Sequence, residues 1–206
     1  MASFYQRHIL PRLIKCACGC EMVEQKRAAI IPGASGRVLE LGIGGGLNMK
    51  FYDPARVSGL TGIDPSPELR AYAQAAPRAA GLAVEILDAS ADAMPFAHAS
   101  FDTVVTTFTL CSVPDAPRAL AEARRVLRPG GQLLFCEHGS APDAGVAVWQ
   151  RRLEPLWKRA FGGCHLTRPV GSNIAAQFTI EQLESGYMPK APRLAGWVEW
   201  GRAVAV

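Results

Sequence analysis

The residues best suited to chemistry are an acid running into glycines, Glu40-Leu41-Gly42-Ile43-Gly44-Gly45-Gly46-Leu47-Asn48, and a second acid, Asp64, that closes a second apolar run. Glycine after a strand lets backbone N–H groups approach a ligand closely, because no Cβ stands between them. A carboxylate about 20 residues further on is spaced to accept the hydroxyls of a ribose in a doubly wound sheet. Together they predict a nucleotide-type cofactor site. The dinucleotide fingerprint requires a small third residue for close helix packing, and Leu47 stands at that position. Glu40 would also sit badly beside a pyrophosphate, whereas it suits a ligand with a cationic amino group and a sulfonium.

The pattern Glu-x-Gly-x-Gly-x-Gly resembles the first motif of class I S-adenosylmethionine-dependent methyltransferases, in their type 11 family. Ile63-Asp64-Pro65-Ser66 resembles the ribose-binding turn of that family, and Ser90-Ala91-Asp92-Ala93-Met94-Pro95-Phe96 its adenine-side loop. Phe101-Asp102-Thr103-Val104-Val105 is similar to its fourth strand, and Leu127-Arg128-Pro129-Gly130-Gly131 to the turn before the fifth. The resemblance spans roughly residues 35 to 140 and implies S-adenosyl-L-methionine as cofactor. It puts Glu40, Gly42, Gly44, Asn48, Asp64, Pro65, Ser90, Ala91 and Thr107 around that cofactor, with Tyr5 reaching the methionine carboxylate from an N-terminal cover. Many members carry Asp where Ser90 stands, so the family's carboxylate contact to the adenine amino group does not carry over.

Narrower segments, Thr109-Leu110-Cys111-Ser112-Val113, Glu137-His138 and Gly163-Cys164-His165-Leu166-Thr167-Arg168, resemble the animal methyltransferase-like alkyl-thiol S-methyltransferases and bacterial relatives labelled phospholipid methyltransferases. The animal proteins begin with an apolar membrane anchor, of which the opening residues here show no sign. This resemblance makes His138 and His165 the candidate catalytic residues, and Thr109, Cys111, Cys164 and Arg168 the candidate substrate pocket. His138 ends a strand at the carboxyl edge, where open α/β sheets bind ligands, and His165 lies in a loop suited to closing over a substrate. Each also has a plainer reading, as a loop or core residue satisfied by a carbonyl, and Arg168 could equally pair with a surface neighbour.

Methyl transfer is an in-line displacement, so alignment of the reacting atoms supplies much of the rate. A thiol suits such minimal equipment, since about 3% of it is thiolate at pH 7 for a pKa near ~8.5. S-methylation of a small thiol is the first reading. N-methylation of a phospholipid head-group amine or other amphiphile is the second, with Trp149, Trp157, Trp197, Trp200 and Tyr187 as a possible cation–π wall. The third is a non-enzymatic S-adenosylmethionine- or zinc-binding interaction protein. Cys16-Ala17-Cys18-Gly19-Cys20 gathers three thiols, but structural zinc sites use Cys pairs separated by two to four residues, so reduced thiols and no metal are expected.

The elements that must position these residues alternate. Strands are predicted near 37–41, 59–63, 83–87, 102–107 and 132–138, with a helix after the glycine loop, another over Ala116 to Val126 and a third over Trp149 to Phe161. Ile180 to Tyr187 and Trp197 to Val206 complete an antiparallel edge. The fold expected is α/β, a Rossmann-like doubly wound, mostly parallel sheet. Residues 1–30 are an N-terminal segment whose basic, amphipathic stretch from Phe4 to Lys15 reads as a helix packed on the sheet, a lid over the cofactor or a contact with anionic lipid, and 31–206 form a single domain. At 206 residues and 49% hydrophobic content, one domain buries a full core. A formal charge of +4 is modest and spread out and does not argue for nucleic acid, so no nucleic-acid partner is expected. No apolar run approaches the ~20 residues of a membrane span and no signal peptide opens the chain, so a cytoplasmic enzyme with a small-molecule substrate is expected.

Overall fold

Gly36–Leu41 (β1) lies in the interior of the sheet, with Val38, Leu39, Glu40 and Leu41 all buried, so both faces of the strand are covered. The computed structural model describes residues 4–205. After β1 come β2 (Val57–Ile63), β3 (Val84–Leu87), β4 (Phe101–Thr107), β5 (Leu127–His138), β6 (Thr179–Tyr187) and β7 (Trp197–Val204), in the sheet order β3-β2-β1-β4-β5-β7-β6. The first five are parallel, and β7 runs antiparallel between β5 and β6. This is the predicted Rossmann-like sheet with its antiparallel C-terminal edge. The last strand was expected to reach Val206, which lies outside the described residues, as do residues 1–3 of the N-terminal segment.

The chain leaves β1 toward β2 on one side and returns through β4 on the other, which opens a crevice at the carboxyl ends of β1 and β4. Helices cover both faces: α1 (Leu10–Cys18), which follows a π-helical turn at Tyr5–Ile9, α2 (Glu21–Ile30), α3 (Pro67–Ala75), α4 (Ala116–Val126), α5 (Ala144–Ala160), α6 (Val170–Ala175) and the short α7 (Arg193–Gly196). α4 shows why its sequence is helical: Asp115 caps the backbone N–H of Arg118 at 3.0 Å, and Ala116, Ala119, Leu120 and Ala123 recur on one buried face. They pack on Leu39, Leu41, Val104 and Phe135, while Val38, Val105, Leu134 and Ile31 form the core on the other face of the sheet.

One expected helix is absent. The chain after the glycine loop forms successive turns from Gly42 to Arg56. Three consecutive glycines and an Asp53-Pro54 pair are poor helix formers, and the turns instead deliver Asn48 and Tyr52 onto buried Glu40.

Candidate functional site

The glycine loop is fixed by steric need. Gly42 has φ +63°, and a Cβ there would lie 2.5 Å from Thr109 Oγ1, the hydroxyl that donates to the Leu41 carbonyl at 3.0 Å. Gly44, at φ +54°, donates its N–H to Asp64 Oδ2 at 3.0 Å, and Asp64 Oδ1 accepts from the Ser66 N–H at 2.8 Å. Asp64 therefore bridges the turns after β1 and β2. Burial raises its pKa, opposed by these two backbone donors, and each oxygen keeps a lone pair.

Beneath the loop lies a buried polar network. Glu40 accepts from Tyr52 Oη at 2.7 Å and from Asn48 Nδ2 at 2.9 Å. Arg27, on α2, donates through Nη1 to Asn48 Oδ1 at 2.5 Å and to Thr107 Oγ1 at 2.7 Å. Burial pushes the Glu40 pKa up to about 7 against the Tyr52 bond and the Arg27 charge. Arg27 is 5% exposed and its Nε is buried with no partner, yet it reaches the crevice wall. Sequence reading missed this residue. Its signal was weak, a single arginine among apolar positions of a helix otherwise read as covering segment.

A cavity of about 280 Å³ fills the crevice. Gly42, Gly44, Asp64, Pro65, Ser90, Ala91, Thr107 and Thr109 line it. Leu10, Pro11, Ile14, Lys15 and Cys18 line it too, one face of α1 at helical spacing. Of the N-terminal segment, α1 thus lies over the cavity, while α2 buries Val23 and Ile30 in the domain. Glu40 and Asn48 sit behind the lining. Tyr5 is placed elsewhere: its hydroxyl donates to the carbonyl of Ala160, the last residue of α5.

The opposite wall differs from expectation. Neither His138 nor His165 lines the cavity. His138 is buried with Nε2 at 2.9 Å from Cys164 Sγ, and His165 Nδ1 lies 3.0 Å from Glu154 Oε1. Burial lowers the His165 pKa in spite of Glu154. Burial also pulls the His138 pKa down, but the bond to Cys164 and its charge outweigh it and leave it raised. Arg168 does not face the cavity either. Its guanidinium donates to the carbonyls of Leu110 and, at 2.6 Å, Val113, so it clamps the β4–α4 loop. Glu154 accepts from the Leu166 and Thr167 N–H groups at 3.1 and 2.9 Å and clamps the facing loop. Buried Glu137 accepts from Thr106 Oγ1 at 2.6 Å and the Thr109 N–H at 2.9 Å.

Two further expectations change. The five aromatics proposed as a cation–π wall do not line the cavity: Lys26 sits over Trp200, Trp157 donates to Cys164 Sγ, Tyr187 packs on Trp197, and Trp149 is exposed. Among the described residues, the metal-ligating side chains that converge are Cys111, His138 and Cys164, not Cys16, Cys18 and Cys20. The expected absence of any metal site thus meets a candidate. Ser90, where the family often has Asp, donates its hydroxyl to Asp92 Oδ1 at 2.5 Å.

Residues 39–135 match the family described as Methyltransferase domain, Methyltransf_11. The chain is 39% identical over 178 residues to thiol S-methyltransferase TMT1B of Rattus norvegicus, covering 81% of this chain and 72% of that one. The chain belongs to the class I S-adenosylmethionine-dependent methyltransferases. Phosphatidylethanolamine N-methyltransferase of Cereibacter sphaeroides shares 34% over 135 residues, 65% of this methyltransferase and 66% of its own length. A solved S-adenosylmethionine-dependent methyltransferase of Thermotoga maritima, described as a possible histamine N-methyltransferase, superposes with a TM-score of 0.64 at 18% identity, over 97% of this chain and 99% of that one.

S-adenosyl-L-methionine is accordingly the cofactor, and the methyltransferase's own atoms fit it. The loop at Gly42 and Gly44 leaves the space a Cβ would fill, the Asp64 oxygens can accept two further hydroxyls, and the orphaned Arg27 Nε–H suits a carboxylate. No helix among the described residues is long and apolar enough to cross a membrane.

Proposed function

We propose that this methyltransferase S-methylates a small, largely apolar thiol. The observation that carries the reading is the composition of the cavity wall: among the described residues lining it, Asp64 is the only carboxylate and none is a histidine. An amine or phenol needs a base at that wall, whereas a thiol is already partly ionised at neutral pH. Lys15 and Arg27 both line the cavity, and their positive charge favours the thiolate of a bound substrate. The 39% identity to a thiol S-methyltransferase supports the same substrate class.

Bound S-adenosylmethionine supplies an electrophilic methyl group on a sulfonium. Asp64 holds the ribose hydroxyls and Arg27 the carboxylate, with Pro65, Ser90 and Ala91 beside the nucleoside, while Glu40, behind the lining with Asn48, favours the cationic amino end by its charge. Leu10, Pro11 and Ile14 of α1 act as the lid, excluding water and pressing the substrate into line. Thr109 sets the floor of the substrate side. Cys111, Cys164, His138, His165 and Arg168 act behind it, holding the two loops that shape the pocket.

Lipid-amine methylation is the second reading. Phe4, Ile9 and Leu13 are exposed beside exposed Arg7 and Arg12, a face that would rest on an anionic membrane surface. A methyl-transfer assay with a panel of small thiols, set against vesicles containing phosphatidylethanolamine, tests both. Thiol methylation should rise with pH as the substrate ionises. Methylation of the lipid amine in preference to every thiol would replace the first reading with the second.

A further inference from the structure

Behind the cavity wall, the β4–α4 loop, the end of β5 and the α5–α6 loop each contribute one soft or borderline donor. Cys111 Sγ, His138 and Cys164 Sγ lie with their ligand atoms within 4.8 Å of one another, and all three residues are buried. One polar atom of the trio is orphaned: His138 Nδ1 is buried with no partner, while its Nε2 meets Cys164 Sγ at 2.9 Å and Cys111 Sγ lies 3.5 Å from the Phe108 carbonyl and 3.4 Å from Ser112 Oγ. Buried polar atoms left this way are costly unless something else takes their lone pairs.

We propose that Cys111, His138 and Cys164 bind one divalent cation of the zinc class, with a fourth position open to an exogenous donor. Two thiolates and an imidazole select zinc over magnesium or calcium, which prefer oxygen. Zinc–sulfur and zinc–nitrogen bonds of ~2.3 and ~2.0 Å place tetrahedral ligands about 3.5–3.8 Å apart, and the ligand atoms of the trio already lie within 4.8 Å of one another. Binding releases the two thiol protons to solvent, and two thiolates neutralise the two charges of the cation, so the buried site carries no net charge.

Trp157 donates its indole N–H to Cys164 Sγ at 3.3 Å, so a donor is already aimed at one of the two sulfurs. The ligand-bearing loops are locked together: the His165 N–H donates to the Cys111 carbonyl at 2.8 Å, and Arg168 and Glu154 clamp each loop. The fourth position adjoins the cavity, since Ser112 and Gly162 line it and Phe108, another lining residue, stacks on the His138 ring at 6.2 Å. On the thiol reading above, on which this last step rests, the substrate sulfur is the fourth donor, held as thiolate.

The test begins without any substrate. The purified chain is stripped with a chelator and titrated with zinc, and separately with cobalt(II), whose thiolate charge-transfer absorption reports the ligands. One cation per chain is expected, with affinity lowered ~100-fold or more in Cys111→Ser, Cys164→Ser or His138→Ala and kept in the Cys16→Ser/Cys20→Ser pair. Should the ligand variants unfold, alkylation of the native chain decides, because the cation should protect Cys111 and Cys164 alone. No stoichiometric binding, binding lost only in the Cys16/Cys20 variant, or unprotected Cys111 and Cys164 would each overturn the site. A cobalt spectrum unmoved by added alkyl thiol would overturn the open position. Methylation of lipid amine and no thiol, with the cation still bound, would overturn the thiol reading and leave the cation site standing.

Discussion

Around the glycine loop, backbone groups are held by a side chain that keeps free capacity: Asp64 accepts from Gly44 and Ser66 and still has lone pairs facing the cavity. On the wall formed by the β4–α4 and α5–α6 loops, charged side chains are consumed by backbone groups, as Arg168 is by the Leu110 and Val113 carbonyls and Glu154 by the Leu166 and Thr167 amides. The first region presents recognition groups; the second shapes a space. A change in the first should therefore act on cofactor affinity, and a change in the second on turnover and stability.

The sharpest way to break this contrast is Gly42→Ala. The new Cβ would meet Thr109 Oγ1 at 2.5 Å and the residue would be held at φ +63°, so a loss of at least ~3 kcal/mol in cofactor binding is expected by calorimetry. Retained affinity would show that the loop is not the recognition element. Arg27→Ala should weaken cofactor binding about a hundredfold, ~3 kcal/mol, since it removes a buried charged donor and leaves Asn48 Oδ1 without one. Arg168→Ala should instead cost ~2 kcal/mol of stability in denaturant melts and lower turnover, with cofactor affinity within about threefold of the native value. An equal loss of affinity in Arg27→Ala and Arg168→Ala would erase the distinction.

The smallest effect is a slope. The Glu40 pKa rises from 4.5 unfolded to about 7 folded, so the folded chain holds more protons in between, and its stability should fall as pH rises through that window. The slope is at most ~1.4 kcal/mol per pH unit and should flatten in Glu40→Gln. Bound cofactor places a cationic amino group nearby, which favours the carboxylate, so affinity should increase from about pH 6 to about pH 8. A native slope unchanged by Glu40→Gln would move the proton to another buried acid such as Glu137.

What was legible in the sequence follows the same division. The strands, their mostly parallel sheet and the glycine loop were legible from local patterns, namely apolar runs of strand length, glycines at their ends and a carboxylate after the second. Arg27 and Tyr52 were not legible, because their roles arise when α2 and the turns after β1 converge on Glu40. His138 and His165 were picked out by position and resemblance and Cys164 and Arg168 by resemblance, yet tertiary contacts engage each with a loop or a neighbouring side chain behind the cavity wall. The Tyr5 hydroxyl, expected on the cofactor, is likewise engaged by a carbonyl 155 residues away.

That last bond bears on how the chain is made. Tyr5 is synthesised 155 residues before its acceptor Ala160, and Leu10 of the covering helix precedes Gly162, beside which it lies, by a similar stretch. At 5–20 residues per second, the helix waits ~8–30 s for its docking surface, long after β1 and β2 can pair. The roof of the cavity is thus the last part of the cofactor crevice to be fastened, and a nascent chain passes through a stage with its glycine loop built and uncovered.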